Sequence, residues 1–128
     1  MILVFGGAYN GKLSYVKEKY NIDEEDIFYC TLDNLDLDKK VICGLHIFVR
    51  EMILNDKDPL EYIKNNIEKL EGKIIITDDI GMGIVPIEKR DRIWRDIHGK
   101  CIQYISLNCI KVIRIFFGIE KVLKNEED

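Results

Sequence analysis

Apolar residues in this chain fall into short unbroken runs that alternate with longer stretches of helical spacing. Ile2–Phe5 is apolar throughout and stops at Gly6-Gly7, which predicts a buried strand. Lys12–Tyr20 then predicts a helix. Ile27 and Phe28 centre a second short strand over Asp26–Cys30, and the polar stretch Thr31–Lys40, which shows no period, predicts a loop. Lys40–Cys43 predicts a third strand, closed by Gly44. Beyond it Leu45, Phe48, Val49, Met52 and Ile53 recur at helical spacing across Leu45–Leu54. Asp58-Pro59 predicts the next helix start, with Asp58 as N-cap and proline at the first position. Leu60, Ile63, Ile67 and Leu70 would face inward along that helix and Gly72 would end it. In Lys73–Thr77 three isoleucines follow one another, the pattern of a central strand buried on both faces. A loop at Gly81-Met82-Gly83, a long helix over Glu88–Leu107, a final strand over Ile110–Phe116 and a helical or frayed tail at Glu120–Lys124 complete the expected series.

Strands separated by helical segments predict right-handed crossovers. The expected fold class is therefore α/β: a three-layer sandwich on a mainly parallel sheet. A chain of 128 residues is expected to form one domain over 1–128. Apolar residues make up 47% and charged residues 33%, the balance of a water-soluble globular protein. The net charge of −4, with acidic stretches at Asp23–Asp26 and Glu126–Asp128, argues against nucleic acid as a partner. No apolar run approaches the ~20 residues of a membrane span. The apolar Met1–Phe5 stretch lacks a basic leader, so a cytoplasmic location is expected. Cys30, Cys43, Cys101 and Cys109 form no C-x-x-C pair and adjoin no histidine cluster, which predicts buried free thiols rather than zinc or disulfides.

The candidate chemistry begins at Gly6. Gly6, four residues, Gly11 and Lys12 make the phosphate-binding pattern G-x-x-x-x-G-K between a predicted strand and a predicted helix. In such a loop successive backbone N–H groups curl around an anion, glycines leave room for it, and the lysine adds charge for the β- and γ-phosphates. Gly6, Gly7, Ala8, Tyr9, Asn10, Gly11, Lys12, Leu13 and Ser14 are thus the expected phosphate cradle, aided by the helix N-terminus. Leu13 stands where a Ser or Thr hydroxyl would hold Mg²⁺. Ser14 does not replace it, because one helical residue turns the side chain by about 100°. Asp78 and Asp79, at the end of the isoleucine strand, are candidate Mg²⁺ ligands; adjacent strand residues face opposite ways, so one of them is expected to face the loop. Gly81 and Gly83 permit close backbone approach to a ligand, and Arg92 and Arg95 share one helical face suited to phosphate. Trp94 is expected in the core or at an interface. His46 is expected near the end of a strand as a capping or packed residue, and His98 is given no role.

Taken in order, GGAYNGK at Gly6–Lys12, DDIGMGIVP at Asp78–Pro86 and RIWRDIHGKCIQ at Arg92–Gln103 resemble the adenosylcobinamide kinase/adenosylcobinamide-phosphate guanylyltransferase family of cobalamin biosynthesis. Gly118–Lys124 resembles the tail of that family. The resemblance implies a RecA-like P-loop NTPase fold, GTP or ATP with Mg²⁺ as cofactors, a cobinamide-type corrinoid as substrate and a homo-oligomer, commonly a trimer. It also implies catalytic roles for Lys12 and Asp79. Family members phosphorylate the aminopropanol hydroxyl of cobinamide and then transfer GMP through a histidine intermediate. Four departures accompany the match. Leu13 replaces Ser or Thr, Cys43 stands in place of a metal-binding Asp, Asp79 replaces Glu, and the stretch between Cys30 and Val41 is short and holds no histidine. The expectation is therefore phosphoryl transfer rather than guanylyl transfer. The alternative is a catalytically degenerate nucleotide- or corrinoid-binding sensor or assembly subunit.

Overall fold

Hydrogen bonding joins every strand of the computed structural model, which describes residues 1–7, 11–80 and 88–127, into one sheet. Along the chain the elements are β1 (Ile2–Gly6), α1 (Lys12–Tyr20), β2 (Ile27–Tyr29), β3 (Val41–Cys43), α2 (Leu45–Leu54), α3 (Pro59–Asn65), α4 (Ile67–Leu70), β4 (Ile74–Asp78), α5 (Lys89–Asn108), β5 (Lys111–Phe116) and β6 (Ile119–Asn125). The sheet order is β2-β3-β4-β1-β5-β6, parallel throughout except for the antiparallel edge strand β6. The expected α/β class with a mainly parallel sheet is what forms.

Strand periodicity sorts the side chains into two cores. Leu3, Ile42, Ile75 and Val112 face α2, α3, α4 and α5 with Phe48, Ile63, Leu70 and Ile105. Val4, Ile74, Ile76, Ile113 and Ile115 face the other way, toward Val16 of α1. The isoleucine run is thus split between both faces, as its sequence predicts. Each such fully buried aliphatic side chain stabilises the fold by about 1.5–3 kcal/mol. Asp58 caps α3 by accepting from the Glu61 amide at 3.1 Å, with Pro59 at the first position.

Two expectations are corrected. The helix predicted to run from Pro59 to Leu70 breaks at Asn66, leaving α3 and α4. There the Asn66 side-chain amide donates to the Tyr62 carbonyl at 2.8 Å, competing for a helical acceptor, and the backbone leaves helical geometry. The second correction is larger: the tail after β5 is neither helical nor frayed, and β5 is not the final strand. Phe117 and Gly118 both take left-handed backbone angles (φ 51° and 76°), the signature of a tight two-residue hairpin turn. The turn lays Ile119–Asn125 back along β5, with a bulge between Val112 and Ile113. The Tyr15 hydroxyl donates to the Glu120 carboxylate and ties α1 to that strand.

The cysteines are all free. Cys30, Cys101 and Cys109 are buried as expected, and burial pushes the Cys30 and Cys101 thiols up to about 12. Cys43 is only half-buried, because it lies at the end of β3 beside a cavity.

Candidate phosphate-binding site

Gly6 ends β1 in register with Asp78 at the end of β4 and with Ile115 on β5. A Cβ at Gly6 would sit 2.3 Å from the Ile115 carbonyl oxygen, so only glycine lets the central strand finish there. The Gly6 carbonyl accepts the Asp79 amide at 2.7 Å, binding the two strand ends together. β1 lies between β4, which the chain reaches before α5, and β5, which it reaches after. From β1 the chain crosses through α1 to β2 on one side, and from β4 it crosses through α5 to β5 on the other; the carboxyl ends of neighbouring strands whose connections diverge in this way are where open α/β sheets bind ligands.

Lys12 opens α1 and is 7% exposed. Its Nζ donates to the Gly7 carbonyl at 2.7 Å and lies 2.8 Å from Asp78 Oδ1. Gly11, Lys12, Leu13 and Ser14 border a cavity of 210 Å³ with Cys43, Gly44 and His46 across from them and Ile76, Thr77 and Asp78 at its floor. Strand parity explains the arrangement: Asp78 shares a face with Ile76, toward α1, whereas Thr77 points to the face covered by α2 and α5.

His46 sits in the first turn of α2, three residues past the end of β3, and is packed as expected. Its Nδ1 accepts the Asp78 amide at 3.1 Å, which leaves the proton on Nε2, 3.3 Å from Asp78 Oδ2. Burial holds this imidazole below its ordinary pKa, against the opposing pull of Asp78, so it is neutral at pH 7. Thr77 Oγ1 is 2.9 Å from Nε2 of His98 and 3.4 Å from Nδ1 of His46. His98 is buried on α5; burial first and His46 second push its pKa down to about 4. Trp94, four residues earlier on α5, donates from Nε1 to the His46 carbonyl at 2.9 Å, and the Arg50 guanidinium lies 5.6 Å from its ring centre.

Of the residues singled out in the sequence, Gly6, Gly7, Gly11, Lys12, Leu13, Ser14 and Asp78 come together here. Asp79 joins through its backbone and does not border the cavity. Arg92 is exposed, and Arg95 pairs with Asp96 at 3.6 Å; neither borders the cavity. Ala8, Tyr9, Asn10, Gly81 and Gly83 lie outside the described residues. Arg95 instead lines a wider groove of 1290 Å³ between α5 and the β5–β6 hairpin. That groove is larger but holds neither Lys12 nor Asp78, so the smaller cavity is the chemical one. Among the described residues no cluster of three or more His, Cys, Asp or Glu is arranged for a metal.

His46 and His98 are the functional-site residues that sequence reasoning missed. A signal for His98 did exist: Trp94, His98, Cys101 and Ile105 form one buried or half-buried stripe at helical spacing on α5. His46 had no comparable signal, since its partner comes from a distant strand.

No individual curated protein matches the chain. Residues 43–123, from the end of β3 to β6, match the family described as cobinamide kinase / cobinamide phosphate guanyltransferase. The match takes in His46, Asp78 and His98 and does not reach Gly6–Lys12. The chain therefore belongs to the cobinamide kinase / cobinamide phosphate guanyltransferase family, transferases of cobalamin biosynthesis with a P-loop NTPase fold.

Proposed function

We propose that this protein binds the phosphates of GTP or ATP in the loop Gly6–Ser14 and transfers a phosphoryl group to the hydroxyl of a cobinamide-type corrinoid. The observation that carries this reading is a buried lysine at the first turn of α1, 2.8 Å from a carboxylate at the carboxyl end of the neighbouring parallel strand. Phosphoryl transfer is largely positioning and charge stabilisation. The substrate hydroxyl oxygen attacks the γ-phosphorus and gives up its proton to water, the bond from that phosphorus to the bridging oxygen breaks, and the nucleoside diphosphate departs with its negative charge beside Lys12. A magnesium ion suits this site through Asp78, because Mg²⁺ commonly takes one or two carboxylates and completes its shell with phosphate oxygens and water. When bound it would neutralise negative charge on the phosphates. Asp78 is better placed for that role than Asp79, since its carboxylate borders the cavity.

Kinase chemistry is favoured over guanylyl transfer because the chain has two histidines and both are engaged. His46 uses both ring nitrogens on Asp78, and His98 is buried behind Thr77. An imidazole committed to Asp78 and one buried in the core are both poorly disposed to carry a nucleotidyl group. A homo-oligomer in the cytoplasm, a trimer by family resemblance, accords with the apolar Phe116, Phe117 and Ile119 exposed at the hairpin turn.

Leu13 and Cys43 at the cavity favour a second reading, a nucleotide or corrinoid sensor without turnover. Calorimetric titration with ATP and GTP, with and without Mg²⁺, followed by cobinamide and mass analysis of the corrinoid, separates the two. Magnesium-dependent binding with phosphorylated product supports the kinase. Magnesium-independent binding without product supports the nucleotide sensor, absence of nucleotide binding rejects both it and the kinase, and binding of cobinamide alone supports the corrinoid sensor.

A further inference from the structure

We propose that His46 is the positioning residue of this site, holding the Asp78 carboxylate in the orientation that serves Lys12 and the phosphate loop. One imidazole takes hold of Asp78 twice. Nδ1 accepts its backbone N–H at 3.1 Å, and Nε2–H points to Oδ2 at 3.3 Å, which leaves Oδ1 for Lys12 at 2.8 Å. The double grip fixes both where the main chain lies and how the carboxylate is turned. Without it, an aspartate at a strand end would be free to fold both oxygens onto the lysine, closing the space an anion needs.

The imidazole is itself held from behind. Trp94 Nε1 donates to the His46 carbonyl at 2.9 Å, and Thr77, 3.4 Å from Nδ1, is anchored at 2.9 Å by His98. Side chains from β4 and α5 thus back the one α2 residue that grips the carboxylate. Such supporting bonds set the orientation of a ligand group and are commonly worth 10–100-fold in metal affinity. Their weight is greater here because Leu13 offers no hydroxyl and Cys43, with a thiol held up at about 11 by burial, offers no anion. Asp78 is the carboxylate bordering the cavity, so its aim decides what the site can hold.

The inference deepens the proposed function, and its test has an arm that does not depend on that function. In ¹⁵N-labelled protein at pH 7, long-range ¹H–¹⁵N spectra of the imidazoles should show His46 as a single Nε2–H tautomer, assigned by its absence in His46→Gln. An Nδ1–H form or a mixture of tautomers in the folded protein would overturn the proposal. In the second arm, His46→Leu should weaken magnesium-dependent nucleotide binding on the order of 10–100-fold and weaken magnesium-free binding by much less. His46→Gln, which retains a donor for Oδ2, should recover most of the loss. Equal magnesium dependence in wild type and His46→Leu, with cooperative unfolding intact, also overturns it. If His46→Leu does not fold, His46→Gln against His46→Asn, which retains only the acceptor for the amide, makes the same comparison. If the wild type binds no nucleotide, the proposed function fails and the tautomer spectra alone decide the positioning role.

Discussion

Two buried basic side chains meet opposite electrostatic solutions in this fold. Lys12 is paired: the Gly7 carbonyl and the Asp78 carboxylate replace the water its ammonium group gives up. Lys12→Ala leaves Asp78 facing the cavity without its cation. We expect loss of nucleotide binding by calorimetry, together with a stability loss on the order of 2 kcal/mol in urea unfolding, less than for a fully buried pair because Asp78 is partly solvated. His98 gives up its charge instead. Burial first and His46 second lower its pKa from 6.5 to about 4, against the opposing pull of Asp78. Between those values the unfolded chain binds more protons than the folded one, so this group's contribution is present above pH 6.5 and fades as the pH falls toward 4. At pH 5 that loss amounts to about 2 kcal/mol relative to pH 7. Urea unfolding at the two pH values should show a drop in His98→Gln that is smaller than the wild-type drop by about this amount; equal drops would mean that His98 titrates normally.

Elements were legible in the sequence where burial dictated them and illegible where a turn did. The Ile74–Ile76 run announces β4 because only a strand covered on both faces uses three β-branched apolar residues in succession. Ile119, Val122 and Leu123 of β6 recur at helical spacing instead, and they are largely exposed, so the edge strand carries no strand pattern at all. Its geometry comes from Phe117-Gly118. The glycine suits a left-handed position, but the phenylalanine does not and is 74% exposed there. Phe117→Asn should therefore raise stability by about 1 kcal/mol, because asparagine tolerates the left-handed region at this turn position. Gly118→Ala should lower it by a similar ~1 kcal/mol. Nothing lies within 4 Å of an added Cβ, so that loss would be backbone strain alone. Thermal unfolding of the two variants checks both signs. A fall in stability for Phe117→Asn would show that its ring packs usefully against Phe116, 4.5 Å away between centroids. The site divides in the same way. Lys12 and Asp78 were readable from a loop pattern and a strand end, whereas His46 and His98 acquire roles only when α2 and α5 meet over Thr77.

Across the whole molecule the sheet separates the helix that presents Lys12 from most of the buried mass. On one face α2, α3, α4 and α5 build the larger core around Phe48, Ile63 and Ile105. On the other, α1 is anchored by Val16, its one fully buried apolar residue, among Val4, Ile113 and Ile115. Stability and phosphate binding should therefore respond differently to damage on the two faces. Phe48→Ala removes a large ring from the main core and should cost about 3–5 kcal/mol in unfolding free energy. Where the protein remains folded, its nucleotide affinity should be nearly unchanged, because the ring packs in the core on the face of the sheet opposite α1. Val16→Ala removes only two methyl groups and should cost about 2 kcal/mol. It nevertheless loosens the seat of the helix whose first residue is Lys12, so nucleotide affinity should fall further for this milder variant. Urea unfolding and calorimetric titration of both proteins, at a temperature where each is folded, give the two quantities side by side. Loss of affinity in proportion to loss of stability would mean that the sheet transmits strain from either face equally, and that α1 is held by more than its single buried valine.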